Sequence, residues 1–393
     1  MLPRVLALAA LIPVALSFSP AATLRCARPP PSRFLDQRPA QCTPRGRSLA
    51  LGRASMDAAQ KSKAETLADE LKAELPQLFD LSYTPKWGLY ADNVEFIDPL
   101  NKFSGVEGYK GNIQMLKDSP IFSDGNMQLH ETTVVDDETV LTRWTLSLVF
   151  KVAPWQPRLL FTGTSEYKLD PATGLVITHL DKWDSISNNA PFSFEALGDL
   201  FGQLLPDVTA VGIRALKGGV QESAAYDILR RYSPTMEVRN YKPYSIVATP
   251  AGGVYDRESY VAATELLMAY KGDANSSPQN SAKMVCAATE PALQFDSGDS
   301  DSSLAAILPA GITPPRPLDK SLELVTVKNA LVAVARRRGF GSDRSRSEEE
   351  IASVREALVI KVTSDGWKLA GPKGAFTLAS YADGYEIWLD LAQ

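Results

Sequence analysis

Apolar residues along this chain recur at two periods, and the changes between them mark out its elements. In Met56–Leu78 (MDAAQKSKAETLADELKAELPQL), Leu67, Leu71 and Leu78 fall on one stripe among strong helix formers, which predicts a helix that Pro76 ends or kinks. From Val94 to Ser187 the period drops to two. Thr132–Val135, Val140–Lys151, Arg158–Leu169 and Leu175–Trp183 read as strands, with Asp136-Asp137, Pro154–Pro157 and Asp170–Gly174 as the turns between them. A helix ahead of a run of antiparallel strands predicts an α+β domain with a curved sheet closed by helices. Phe192–Leu205 is amphipathic and reads as a short helix between domains. Strand patterns then resume over Ala225–Thr249, Leu322–Arg336 and Ala375–Leu391. Helical patterns cover Tyr255–Tyr270 and Ser347–Thr363, the latter with Glu348-Glu349-Glu350 at the end that a helix dipole favours. The stretch around Asp296–Asp301 reads as a solvated acidic loop, since its spacing does not fit a calcium loop. The chain has 393 residues, enough for about two domains at roughly 100–200 residues each. The expected organisation is a leader over 1–55, an α+β domain over 56–187, a linker over 188–221 and a second domain over 222–393.

Charge sharpens this division. Residues 1–55 carry eight Arg, no Lys and one acid, so the formal charge of −5 for the whole chain becomes −12 for residues 56–393. An acidic body of that size gives no electrostatic support to nucleic-acid binding. Met1–Ser17 has one positive charge, an apolar run too short to span a membrane and small residues at its end, which reads as a signal peptide. The Arg-, Ser- and Pro-rich stretch after it has the composition of a transit peptide. This leader resembles the two-part leaders of algae with secondary plastids, and the Leu16–Pro20 junction begins its transit part with the aromatic Phe18. The resemblance implies delivery to the plastid.

Candidate chemistry is sparse. Three Cys and two His cannot build a disulfide scaffold or a Cys/His zinc site, and no metal site is expected. On a strict period of two, Leu175, Ile177, His179, Asp181 and Trp183 share one face of a strand. An imidazole, a carboxylate and an indole on an otherwise apolar face, with Trp144 on a neighbouring strand, make a candidate small-molecule pocket. The His179–Asp181 pair suits either acid/base work or a structural hydrogen bond. No nucleophile motif accompanies it, so no catalytic residue is assigned.

Two resemblances extend this reading. Trp87–Asp92, Phe96-Ile97-Asp98-Pro99, Gly108-Tyr109, Arg143-Trp144, Pro154-Trp155, Gly163–Tyr167 and His179–Asp184 together resemble a small plastid domain of unknown function with the SnoaL-like cone fold. That likeness covers about residues 76–187 and implies a fold with a pocket, and with it the option of dimerising through this domain. Tyr226–Leu229 followed by Glu237-Val238-Arg239-Asn240-Tyr241-Lys242-Pro243 resembles the opening strands of SOUL domains, a haem-binding family. Helix Ser259–Tyr270 with Gly272 and Asn275, Lys283-Met284, Pro315–Pro317, Val332–Val334, Gly339–Gly341 and Tyr381 with Glu386-Ile387-Trp388 complete the set over about 222–393. The likeness implies a distorted antiparallel barrel flanked by two helices, with a tetrapyrrole on an apolar surface beside one helix. Tyr260, Ala263, Leu267, Met268, Tyr270 and Lys271 are the residues expected to hold it. Two departures stand out: Cys286–Ala292 replaces the family's Met-Thr-x-Pro-Val, and Gly384-Tyr385-Glu386 replaces its Arg-x-Asn-Glu.

Residues 188–393 contain no His, so a haem there has no imidazole for its iron. The expected function is therefore non-enzymatic binding of haem or a related tetrapyrrole through its ring, for transport, buffering or storage in the plastid. The alternatives are docking on thylakoid lipid globules through Phe192–Leu205, and a small-molecule enzyme built on His179 and Asp181.

Overall fold

The computed structural model describes residues 61–205, 222–253, 256–272, 277–297, 302–338, 347–371, 374–381 and 384–392. The predicted leader, Asn275 and the Gly339–Gly341 turn lie outside the described residues, as does most of the acidic loop.

The first domain begins with helix α1 (Lys63–Glu74), which Ser62 and Glu65 start with a reciprocal capping box. Its buried stripe is Ala64, Leu67, Ala68 and Leu71, and the 3-10 turn Leu75–Gln77 takes over where Pro76 stands. Strands β1 (Tyr90–Ile97), β2 (Lys102–Ser104), β3 (Phe122–Asp136), β4 (Thr139–Phe150), β5 (Arg158–Leu169) and β6 (Val176–Trp183) form one sheet in the order β2-β1-β6-β5-β4-β3. Only β1 and β6 run parallel. Helix α2 (Val106–Lys117), which the strand-dominated pattern of Val94–Ser187 concealed, lies between β2 and β3 and buries Tyr109, Asn112 and Ile113. Helix α3 (Phe194–Leu204) follows the sheet, with Ser193 as its N-cap.

The second sheet has nine strands: β7 (Tyr226–Ser233), β8 (Met236–Tyr241), β9 (Tyr244–Pro250), β10 (Ala292–Asp296), β11 (Ser303–Ile307), β12 (Glu323–Val327), β13 (Leu331–Arg338), β14 (Phe376–Tyr381) and β15 (Gly384–Asp390). Their order is β12-β9-β11-β10-β14-β15-β13-β8-β7, antiparallel throughout. The segment Leu322–Arg336, read as one strand, is two, parted by a turn with Asn329 at a φ of 37°.

Chain length forces this sheet to curl. Strands β8 and β9 stand six places apart in the order, about 29 Å in a flat sheet at roughly 4.8 Å per strand. Only Lys242 and Pro243 join them, a link of about 11 Å at most. The strands therefore bend round into a half-barrel, and alternation gives it two apolar surfaces. Tyr241, Ile246, Leu293, Ala305, Ile307, Val332, Val334 and Trp388 pack together inside the curl. Outside, Val238, Ala333, Ile387 and Leu389 meet Ile351, Val354 and Leu358 of helix α5 (Glu348–Ser364). Val247 and Leu304 meet Ala263, Leu267 and Tyr270 of helix α4 (Arg257–Lys271). The resemblance implied a distorted antiparallel barrel with two flanking helices, and the observed α+β half-barrel is of that kind.

Strand β7 lies across the first sheet. Thr145 Oγ1 donates to the Ile228 carbonyl at 2.6 Å, and the Arg231 amide donates to Thr162 Oγ1 at 2.8 Å. Arg231 pairs with Asp199 of α3 at 2.9 Å, both side chains being nearly buried. Thr145 and Thr162 point away from the neighbouring Trp144 and Gly163, so this chain already occupies part of the face opposite the predicted pocket.

Candidate functional site

In the first domain Trp144, His179, Asp181 and Trp183 do share one face, and all but Asp181 are buried. The strict alternation drawn from Leu175 is corrected: Val176 is buried and Ile177 exposed. The pairing of β5 with β6 skips from Lys168↔Thr178 to Leu169↔Val176, so Ile177 is an extra residue that reverses the phase.

A polar chain crosses this face. Trp144 Nε1 donates to Ser165 Oγ at 2.7 Å, Ser165 Oγ donates to Asp181 Oδ1 at 2.6 Å, and His179 Nε2 lies 2.9 Å from the same oxygen. An indole N–H only donates, which leaves the serine hydroxyl proton for the carboxylate. Asp181 is then the acceptor for Nε2–H. His179 Nδ1 is buried and meets no protein donor or acceptor. Around the ring stand Tyr167 at 4.3 Å, Phe96 at 4.9 Å and Tyr109 at 5.3 Å between centroids. The face read as a candidate small-molecule pocket thus carries an aromatic cluster about its histidine.

Asp98 carries no signal in the sequence beyond its place in Phe96-Ile97-Asp98-Pro99. Phe96 pairs with His179 and Ile97 with Leu180 in the parallel register, which brings Asp98 beside Asp181 on the same face. Its Oδ1 accepts the Leu100 and Asn101 amides, both at 2.6 Å, while Oδ2 has a single long contact of 3.4 Å to Asn101 Nδ2. Burial first, and then the charge of Asp181, push its carboxyl up to about 7, against the amides that would lower it. Two carboxylates on adjacent strands thereby differ in character: Asp181 is held by two side-chain donors, Asp98 keeps its proton to near neutrality.

The second candidate surface lies on α4. Ala263, Leu267 and Tyr270 are buried against β9 and β11, Tyr260 is half-buried, and Tyr270 Oη donates to the Pro315 carbonyl at 2.7 Å. Lys271 is turned inward, with Nζ 3.1 Å from Thr289 Oγ1, and burial pulls its ammonium down. The proposed assignment is therefore revised, because these residues form the helix's seat on the sheet. Met268, the exception, is 55% exposed, as is Val261 at 47%. Val285 and Leu318, which the sequence did not single out, are also exposed. Their loops are tied to the end of the helix: the Cys286 amide donates to the Lys271 carbonyl, the Gln279 amide to that of Ala269, and the Leu318 amide to that of Gln279. Exposed Val261 and Met268 thus lie two turns apart on one side of α4, and the loops that carry exposed Val285, Leu318 and Lys283 are tied to its last turn, which makes these apolar side chains a candidate rim.

Inside the half-barrel, the motif Glu237-x-Arg239-x-Tyr241 places three polar side chains on one face. Arg239 grips Glu386 through two bonds of 2.8 and 2.9 Å, and also holds Glu237 and Tyr241. Tyr381 and Trp388 donate to the same Glu386 oxygen. Burial would raise the Glu386 carboxyl, but the Arg239 charge and these donors outweigh it and hold it low. The element that departs from the family pattern is here the centre of a satisfied network, so Glu386 serves the fold. Among the described residues no cluster of His, Cys, Asp and Glu suits a metal ion, and no helix is long and apolar enough to cross a membrane.

Comparison with known proteins agrees with both resemblances. Residues 221–390 match the family model "SOUL heme-binding protein", and residues 65–179 match "Uncharacterized conserved protein (DUF2358)". No curated protein matches the chain. Among solved structures it is similar to an NTF2-like protein of unknown function from Exiguobacterium sp. 255-15, at 18% identity over 30% of this chain and 99% of that one, with a TM-score of 0.25. An LEH-like epoxide hydrolase of M. tuberculosis is 17% identical over 38% and 96%, with a TM-score of 0.28. A hydrolase from Listeria innocua is 12% identical over 40% and 92%, with a TM-score of 0.31.

Proposed function

We propose, for a chain whose residues 221–390 match the SOUL heme-binding family, that it binds haem or a related tetrapyrrole without turning it over, for transport, buffering or storage in the plastid. The family match is the observation that carries this reading. The structure contributes a surface of the right chemistry: the rim of Val261, Met268, Val285 and Leu318 offers apolar contact to a macrocycle. Lys283 can meet a ring carboxylate, although an exposed ion pair adds only about 0.2–1 kcal/mol, so apolar burial must supply most of the affinity. With no His in residues 188–393, the Met268 thioether is the side chain on this rim that could approach an iron. Bound haem would supply redox-active iron, whereas this chain's residues supply a seat for the ring. Absorbance titration of the full chain with haemin tests the seat. Met268→Glu places a charge in it and should weaken binding at least tenfold, while unchanged affinity would remove α4 from the site.

The outward face of α3 favours a second reading, docking on a lipid surface such as a thylakoid lipid globule. Asp199 and Gln203 point into the protein, to Arg231 and to the Leu160 amide. Phe194 at 89% and Leu205 at 63% exposure point out, with Phe192, Phe201 and Trp155 exposed beside them. Helix α3 is thus amphipathic with its apolar side toward water, the arrangement of an interfacial helix. The first domain we read as a binding rather than a catalytic unit, because aromatic rings enclose His179.

A further inference from the structure

Among the ties that hold strand β7 to the first sheet, one rests on a histidine. Thr145 Oγ1 gives its proton to the Ile228 carbonyl at 2.6 Å, so toward His130 Nε2, 2.8 Å away, it accepts. A neutral His130 ring therefore carries its proton on Nε2. The pairing of β3 with β4 passes from Leu129↔Trp144 to Glu131↔Arg143 and skips His130, which makes it a bulge residue whose backbone the ladder leaves unpaired. Two further ties run through Arg231, whose amide donates to Thr162 Oγ1 and whose side chain pairs with Asp199. Thr162 Oγ1 in turn donates to Asp184 Oδ2 at 2.7 Å, and Arg230 lies 3.7 Å from the same carboxylate.

This seam is balanced in charge while His130 is neutral. Arg143 grips Asp184 with bonds of 2.8 and 2.9 Å, and Arg230 pairs with Asp365 at 3.0 Å. With Arg231 on Asp199 and Lys242 on Asp227, four cations meet four carboxylates. The charged groups that act on the imidazole are Arg143 of β4 and Asp227 of β7. Glu131, its neighbour on β3, accepts the Thr133 hydroxyl at 3.0 Å. A proton on Nδ1 thus adds a further cation beside Arg143, and Asp227 across the seam already holds Lys242.

We propose that His130 is a pH-sensitive latch between the two domains: protonating it loosens β7 from the first sheet and uncovers the face lined by Thr145 and Thr162, while each sheet keeps its own ladder. Burial first, and then Arg143, resist the proton in the closed seam. Opening returns the ring to its ordinary pKa of about 6.5, so the open state takes the proton more readily. Acidification below about pH 6.5 therefore favours opening, by at most about tenfold per pH unit. The latch stands apart from the tetrapyrrole reading.

Hydrogen exchange of the full chain at about pH 7.5 and about pH 5, each rate divided by the intrinsic rate at that pH, tests it. The Arg231 amide, which donates across the seam, should exchange at least about threefold faster at the lower pH, with no comparable rise over β13 and β15. His130→Gln keeps an N–H for Thr145 and cannot be charged, so its Arg231 amide should hold one rate at both values. A second measurement needs no variant. The two histidines of the unaltered chain give two ring titrations by nuclear magnetic resonance, and the exchange midpoint should coincide with that of His130. Arg231 protection that ignores pH, an equal response in His130→Gln, an equal rise over β13 and β15, or a midpoint that departs from the His130 ring would each overturn the proposal.

Discussion

At the residue scale, burial governs two titrations that stability can report. Asp98 binds its proton up to about pH 7 in the folded chain, against about 4 when unfolded. The folded state therefore holds the extra proton between those limits, and stability attributable to this group falls as pH rises from about 4 to 7. Asp98→Asn keeps an oxygen for the Leu100 and Asn101 amides and removes the charge. It should raise stability at pH 8 by up to about 4 kcal/mol and have little effect at pH 4, read from urea midpoints at the two values. His130 behaves oppositely. Burial first, and Arg143 second, lower its pKa, while Asp227 pulls the other way. Acidification below about pH 6.5 must charge it where Thr145 Oγ1, itself donating to Ile228, joins the two sheets. Gly163 shows how closely β5 and β6 approach, since an added Cβ would lie 2.2 Å from the Lys182 carbonyl and 3.1 Å from the Trp144 ring. Gly163→Ala should cost about 2 kcal/mol or more by the same assay, because backbone must shift to admit it.

At the element scale, legibility in the sequence followed the origin of each signal. Strands β4 to β6 and helices α1, α4 and α5 were readable because local alternation, caps and breakers set them. Ile177 was misplaced because a bulge is a property of the pairing between β5 and β6, which neither strand shows alone. The α4 stripe was read as a ligand surface although Ala263, Leu267 and Tyr270 seat the helix; periodicity finds an apolar face without saying what covers it. Asp98 escaped notice because its neighbour Asp181 lies 83 positions away and parallel register joins them. Glu386 behaves as a buried partner. Glu386→Ala removes the two-bonded partner of Arg239 and leaves it Glu237 as its remaining carboxylate inside the half-barrel, so it should destabilise the chain by about 3 kcal/mol in thermal unfolding. Helix α3 carries its own test. If its outward phenylalanines meet lipid, Phe194→Ser with Phe201→Ser should abolish flotation of the protein with galactolipid vesicles while leaving its melting temperature unchanged. Loss of stability instead would make them structural.

At the scale of the whole molecule, the two domains divide the chemistry. The first encloses a polar chain in aromatic rings, and the second curls a nine-stranded sheet round a satisfied charge network with its apolar rim outside. Beta strand β7 and the Arg231–Asp199 pair tie them together, so a change at one side of that contact is felt at the other. Arg231→Met removes the cation that pairs with Asp199 and should loosen α3, seen as faster amide exchange over Phe194–Leu204 with the second sheet's protection retained. The central claim is that the second domain holds a tetrapyrrole by its ring and not by its iron. Absorbance titration of the full chain with metal-free protoporphyrin, beside haemin, tests it most directly. Saturable binding of both at affinities within about tenfold, about 1.4 kcal/mol, is the predicted result. Binding of haemin alone would make iron ligation the source of affinity and contradict the claim, and binding of neither would leave the half-barrel without the function proposed for it.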